Sequence, residues 1–326
     1  MGQCVFQQTY PFSYIRNFSK NRIYTGHFFC SFTSSYFFFK KQTSTPLKFR
    51  YLHVLKVFKN CFHFYVKSSI HVALAVTCMG ALANGSVYGS TSQNLLIFIF
   101  LSTLFVYNFI KYFSIFISSS KRKKNPGLFI LLVTSGLLTF GFFFALTNLA
   151  KVFVVLGGLL VVLYTIPFFG ETSNWRNKKG WKIYLVALSW VLLTVGVPFA
   201  SSSDFSFSLF MKWFIIQFFY VWVATLPFEI RDSSKDTIHL RTIPQQLGIY
   251  KTKKLGFFLL TVALIFTVLV FSNDLLVLAP AFIAFMLLGS ALFYCSPQDS
   301  NYFTSFWIEG IPIVWWMSFH LISYFY

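Results

Sequence analysis

From about residue 62 to the end of the chain, predominantly apolar runs recur between short polar connections. Each run holds roughly 17 to 25 residues, enough for a helix rising about 1.5 Å per residue to cross about 30 Å of hydrocarbon. Nine are predicted, over approximately 62–84, 92–117, 127–147, 149–169, 182–200, 206–228, 255–272, 275–295 and 304–326. The connections are too short to hold a soluble domain. The pattern predicts an all-α integral membrane protein, a nine-transmembrane-helix bundle occupying 61–326.

Residues 1–60 do not follow this pattern. They carry nine Lys or Arg and no Asp or Glu, and they are rich in Ser, Thr and Phe, as in FFCSFTSSYFFFKKQTSTPLKFR. A basic, acid-poor, Ser-rich composition fits an organellar transit peptide, and an over-extended gene model looks much the same. The start MGQCVF half fits a myristoylation signal, with Phe6 where Ser or Thr belongs.

Composition agrees with the membrane reading: 56% of the 326 residues are hydrophobic and only 11% are charged, against about 25% charged in soluble domains. The formal net charge of +19 would point to nucleic acid in a soluble chain. Here the cations gather in alternate connections instead: Lys121, Arg122, Lys123 and Lys124; Arg176, Lys178, Lys179 and Lys182; and Arg231, Lys235, Arg241, Lys251, Lys253 and Lys254. The connections near Gly85, Ser202 and Asn273 carry none. This asymmetry predicts that the basic side and the N-terminus face the cytoplasm, with Tyr326 outside, and argues against a nucleic-acid partner. The five cysteines show no metal-binding or disulfide spacing. No P-loop, GxGxxG, GxSxG or HExxH motif is present.

The stretch with the clearest chemistry is LPFEIRDSSKDTIHLRTIPQQLG, residues 226–248, which follows the sixth run. On a continued helix, Glu229, Asp232 and Asp236 would fall within about a 60° arc. Acids so placed beside a membrane can hold a hard divalent cation, which uses one or two carboxylates together with phosphate oxygens. Arg231, Lys235 and Arg241 would neutralise the same anion, Arg in bidentate fashion. The competing reading is a wet loop in which these acids pair with these cations.

Taken together, the run count and FEIRDSSKDTIHLRTIPQQLG resemble the second Asp-rich region of the UbiA-type intramembrane prenyltransferase superfamily, in a divergent bacterial branch. VLYTIPFFGETSNWRNKKGWKIYLVALSWVLLTVGVP, residues 162–198, resembles that family's segment between the fourth and fifth helices, and WIEGIPIVWW resembles its last span. The resemblance implies a lipid-open helical bundle in which a prenyl diphosphate and Mg²⁺ bind between two Asp-rich cytoplasmic segments. An allylic cation then alkylates a hydrophobic acceptor, commonly aromatic or quinone-type. On this basis Asp232, Asp236 and Glu229 are the expected catalytic and metal residues. Asn108 and Tyr164 are expected diphosphate contacts by their match to the family's segments, and Lys111, Arg231 and Arg241 by their charge and proximity, not as motif residues; the bacterial plasma membrane is the expected location.

The chain departs from the family at its first motif, of the form Asn-Asp-x-x-Asp. Here LFVYNFIKYF keeps Asn108 but places Phe109 and Tyr112 where the two Asp belong. Lys111, three residues after Asn108, could supply fixed positive charge in place of a metal ligand, or could simply snorkel at a helix end. Tyr164 lacks the Lys the family has four residues later, since Phe168 stands there. Glu309 is an ionisable residue inside the ninth run and hence a candidate functional group, with helix capping as its alternative. Lys67 and His71 share a face, and a hydrogen-bonded structural histidine is the simpler reading. These departures keep two rivals in view, a non-catalytic homologue that binds isoprenoid lipid and a membrane transporter. Chain length, acceptor identity and oligomeric state are not encoded in any motif found.

Overall fold

A computed structural model describes residues 46–117, 126–166, 180–236 and 240–325. The expectations for 1–45, for Lys121 to Lys124, for Phe168, Arg176, Lys178 and Lys179, and for Tyr326 lie outside the described residues. The chain divides into Met1–Lys56 and Val57–Tyr326. The described part of the first unit is the beginning of helix α1 (Pro46–Lys67).

Among its described residues the second unit consists of helices joined by turns and short irregular connections, with no strand. Its elements are α2 (Ile70–Tyr88), α3 (Gln93–Ile117), α4 (Pro126–Phe144), α5 (Asn148–Thr165), α6 (Trp181–Ser201), α7 (Phe207–Asp232), the short α8 (Ile243–Leu247), α9 (Ile249–Val270), α10 (Leu275–Tyr294) and α11 (Glu309–Phe325). Among the described residues, α2 to α7, α9 and α10 are long and apolar enough to cross a membrane. The ninth predicted run, 304–326, divides between a π-helical turn at Phe303–Ile308 and α11. The first run is displaced: instead of one helix over 62–84, α1 ends at Lys67 and α2 starts at Ile70. Ser69 between them adopts a left-handed φ of 64°. Three polar residues, Lys67, Ser68 and Ser69, interrupt the apolar stretch there. The freed Ser68 carbonyl is taken by the Asn108 side chain at 2.7 Å.

Local signals explain the ends. Pro126 opens α4, where its missing N–H costs nothing. Thr147, Ser206 and Asp274 cap α5, α7 and α10 by accepting backbone N–H groups at 3.3, 3.4 and 3.2 Å. Gly248, at φ 78°, makes the bend that joins α8 to α9.

Helix α2 packs on α3 and α11, α3 on α4, α5 on α6, α6 on α7, α7 on α9, α9 on α10, and α10 on α11. The densest part is aromatic. Trp213 and Tyr220 of α7, Phe285 of α10 and Trp315 of α11 are almost fully buried, with centroids 5.0 to 6.3 Å apart. By contrast α4 and α5 expose Leu137, Phe140, Phe144, Val152, Val155 and Leu159. An apolar surface of that extent is a liability in water and the ordinary state of a helix in lipid. The protein is an integral multi-pass membrane protein.

One polar tie crosses the interior. Gln217 of α7, with no exposure, accepts from Thr194 Oγ1 at 2.5 Å and donates to the Met79 carbonyl of α2 at 3.1 Å. Thr194 lies in a π-helical segment of α6, Leu192–Gly196. Pro198, just after it, lacks the N–H that the Thr194 carbonyl would otherwise accept four residues on.

Close approach of α9 to α7 and α10 depends on Gly256, where an added Cβ would lie 2.5 Å from Leu292 and 2.8 Å from Leu226, both fully buried. Gly256→Val is therefore expected to cost about 1–3 kcal/mol through overpacking. Gly141→Ala, which meets nothing within 4 Å, should be neutral or stabilising by roughly 0.5–1 kcal/mol. Thermal unfolding in one detergent compares them, with Tm lowered only in the first.

Candidate functional site

The acidic stretch does not continue as one helix. α7 ends at Asp232, and a turn carries the chain to Asp236, whose N–H donates to the Asp232 carbonyl at 2.8 Å. The three acids therefore meet different partners. Glu229, 2% exposed, accepts from the Ile243 N–H at 3.2 Å and so pins the returning segment to the end of α7. Asp232 is gripped by its neighbour: Arg231 Nε donates to Oδ1 at 2.8 Å and Nη2 to Oδ2 at 2.7 Å. The remaining Arg231 nitrogen, Nη1, donates to Thr304 Oγ1 at the start of the π-helical turn before α11. The Asp236 carboxylate faces Lys182 of α6 at 4.0 Å, and its buried Oδ2 accepts no hydrogen bond.

Arg241 sits in the returning segment with a left-handed φ of 43° and an exposed side chain. Its carbonyl accepts from Gln246 Nε2. The segment is held further by Gln245, which donates to the Asp236 carbonyl at 3.0 Å and accepts from the Thr242 N–H at 3.0 Å.

The second cation comes from α3. Lys111 donates from Nζ to Ser69 Oγ at 3.0 Å. Asn108, fully buried, spends both amide hydrogens on the Ser68 and Leu104 carbonyls, at 2.7 and 2.8 Å. Its amide nitrogen thus holds the junction of α1 and α2. Tyr112, at a kink in α3 (φ −118°, ψ 18°), donates its hydroxyl to the Lys67 carbonyl at 3.0 Å. Phe109 lies beside Phe105, with centroids 5.9 Å apart. The two positions that lack Asp are thus occupied by a packed ring and a hydroxyl that closes the turn.

Between these two sides lies Glu309, at the first turn of α11. Its charged neighbours are Lys111 and Arg231. Tyr107, one turn before Lys111, has Glu309 and Tyr164 as electrostatic neighbours, and its oxygen accepts from Trp190 Nε1 of α6 at 2.8 Å. Lys111, Tyr107, Tyr164, Trp190, Arg231 and Glu309 come from α3, α5, α6, α7 and α11. His71 is placed elsewhere: Nε2 donates to the Phe306 carbonyl at 2.9 Å, so Nδ1 must accept from the Tyr65 hydroxyl, also 2.9 Å. That is the hydrogen-bonded structural histidine.

Among the described residues, no three His, Cys, Asp or Glu side chains gather as a ready metal-ligand set. The donors nevertheless fit a hard cation of the Mg²⁺ type. Such a cation keeps waters and needs only one or two carboxylates, and Asp236 offers a buried oxygen without a hydrogen bond. Asp232 would join it if Arg231 turned to an anion. Sequence reasoning passed over Lys182, Thr304, Tyr107 and Trp190 as site residues. Lys182 was legible only as a loop cation, and the others lie in apolar runs without charge to mark them.

No protein-family model matches the chain, and no curated protein matches it in sequence. Its fold is nevertheless found in solved structures. A UbiA homologue from Archaeoglobus fulgidus is similar at a TM-score of 0.53 with 12% identity, over 78% of this chain and 98% of that one. The same homologue bound to GPP and Mg²⁺ gives 0.52, also with 12% identity, over 78% and 99%. A structure described for digeranylgeranylglyceryl phosphate synthase in membranes gives 0.53 with 14% identity, over 79% and 95%. At these identities the likeness shows a shared fold.

Asn108→Ala should lower stability by roughly 1–3 kcal/mol, since it strands the buried Ser68 carbonyl. Unfolding in detergent measures it, and an unchanged Tm would remove Asn108 from the junction.

Proposed function

We propose that this chain, which has the fold of the UbiA homologues, is a prenyltransferase that moves an isoprenyl group from a prenyl diphosphate to a lipid-soluble aromatic or quinone-type acceptor. The observation that carries this reading is that Lys111 and Arg231 are the charged neighbours of Glu309, while beside Arg231, past the end of α7, Asp236 faces Lys182 with a buried oxygen that accepts no hydrogen bond. Fixed cations beside a carboxylate with spare coordination capacity suit a diphosphate that travels with Mg²⁺. The relatives' bound GPP and Mg²⁺ lend the same ligands to this proposal.

The chemistry of the residues follows from charge. Lys111 binds a phosphoryl oxygen as a point charge and Arg231 binds as a planar fork. Arg231 is half committed already, so anion binding would draw it from Asp232 and release that carboxylate. Asp232 and Asp236 would then hold Mg²⁺, with Glu229 keeping the returning segment closed over them. Bound Mg²⁺ would neutralise charge that builds on the diphosphate as the allylic C–O bond breaks. Tyr164 and Asn108 belong to this site as boundary residues, and Arg241 as an exposed cation at its rim. The basic connections support a site on the cytoplasmic side, with the N-terminus there too; a bacterial plasma membrane is part of the same proposal.

A second reading has a specific observation behind it. Phe109 and Tyr112 leave α3 without its two carboxylates, which favours a non-catalytic homologue that binds isoprenoid lipid.

Diphosphate release separates the two. Purified protein in lipid, given geranylgeranyl diphosphate and a phenolic acceptor, is expected to release diphosphate with Mg²⁺ and to stop with EDTA. Asp236→Asn should lower the rate by about 10²-fold or more. Lys111→Met should weaken diphosphate binding by roughly tenfold, the loss of about 1.5 kcal/mol from a charged hydrogen bond. Binding without release in the wild type would favour the second reading.

A further inference from the structure

The bundle carries an apolar groove that the diphosphate site does not use. It lies between α9 and α10 and holds about 340 Å³, lined by Phe257 and Leu264 of one helix and Phe285, Met286, Gly289 and Tyr294 of the other. Gly289 forms its floor, because a Cβ there would lie 3.6 Å from Phe257 and 3.9 Å from Leu260. Thr261 and Ser290 also line it, but each donates its hydroxyl to a carbonyl of its own helix at 2.9 Å. Their hydrogens are thus spent, and the groove suits an apolar chain.

One end of the groove is basic. Lys253, Phe257, Leu260 and Leu264 recur at helical spacing and share a face of α9. Lys253 Nζ donates one hydrogen to the Phe293 carbonyl near the end of α10, at 2.6 Å, and keeps two. Lys254 lies 4.6 Å from the ring centroid of the exposed Tyr250, and Lys251, one turn before it, is exposed. This cluster begins in the first turn of α9, the end at which a helix dipole favours an anion, and that turn has no acid. Among the described residues the ion pairs are Lys182 with Asp236 and Arg231 with Asp232, so none of these three lysines has a carboxylate partner there. Asp299, in the connection after α10, spends its two oxygens on the N–H and hydroxyl of Ser296, at 2.7 and 2.9 Å.

The dimensions match a lipid. Tyr250 and Tyr294, both largely exposed, are the kind of residue that sits at headgroup level. From Lys253 to Leu264 the helix rises about 16 Å, roughly half of a hydrocarbon core about 30 Å thick. A chain that starts at the lysines and follows the groove therefore ends near the midplane, as one acyl chain does. We infer that this face binds one anionic phospholipid, with its phosphate on Lys253 and Lys254 and an acyl chain in the groove. Basic pockets between transmembrane helices take such head groups, whereas a zwitterionic lipid of the same chains brings its own cation to the lysines. The site is separate from that of the diphosphate and does not rest on the prenyltransferase reading.

The test counts lipid bound to the full chain by native mass spectrometry from detergent, after addition of phosphatidylglycerol or phosphatidylcholine with identical palmitoyl and oleoyl chains. One phosphatidylglycerol is expected to bind about tenfold more tightly than phosphatidylcholine, through two lysines at the membrane surface. Lys253→Gln combined with Lys254→Gln, which still allows donation to the Phe293 carbonyl, should bring that ratio close to one. Lys254→Gln alone, at an exposed position, should lower it about threefold and carries the test if the double variant fails to fold. Gly289→Leu fills the groove and should weaken phosphatidylglycerol binding about fivefold or more. Lys212→Gln removes a cation beside Phe271, at the other end of α9; it controls for net charge and should leave the ratio unchanged. Equal binding of the two lipids by the wild type overturns the inference. So does a ratio that the Lys253 and Lys254 substitutions do not move, or phosphatidylglycerol binding that Gly289→Leu does not weaken.

Discussion

The guanidinium of Arg231 is the contact on which the arrangement at the end of α7 depends. It grips Asp232 with two nitrogens and reaches Thr304 with the third, so one side chain joins the sixth run to the last. Around it the remaining charges take fixed places, with Asp236 towards Lys182, Lys111 on Ser69 and Glu309 between the cations. A bidentate arginine is restricted in direction as well as position, which a lysine in the same place would not be. The pairing also leaves Asp236 with a buried oxygen that accepts no hydrogen bond, and in a protein interior such an atom calls for a ligand or a role.

The rest of the bundle obeys the constraint that polar groups in hydrocarbon must find partners within the protein. Gln217 meets it by joining α7 to α2 and to the π-helical part of α6. His71 meets it by donating Nε2 to the Phe306 carbonyl in the π-helical turn before α11. Both irregular segments thus have a side chain from another helix to satisfy them. The turn before α11 is also what brings Thr304 to Arg231 and sets Glu309 one turn deeper.

The membrane helices were legible because length and apolarity are local properties of a run. The break between α1 and α2 was not, because Lys67, Ser68 and Ser69 become a turn only when Asn108, forty residues on, takes the Ser68 carbonyl. The acidic arc was drawn for a helix that continued past Asp232. The returning segment, anchored by Glu229 on the Ile243 N–H, instead pulls the chain into a turn. Glu309 stood out as a charge in an apolar run, whereas Tyr107 and Trp190 had nothing to separate them from packing aromatics until the fold brought them beside it. Lys182 became part of the site only through a tertiary contact with Asp236.

The most direct measurement is an experimental structure of the protein in lipid with geranylgeranyl thiolodiphosphate and Mg²⁺. The account predicts the diphosphate between Lys111 and Arg231, with the cation on Asp236 and Arg231 released from Asp232. A diphosphate bound elsewhere, with Arg231 still forked onto Asp232 and Asp236 unchanged, would contradict it.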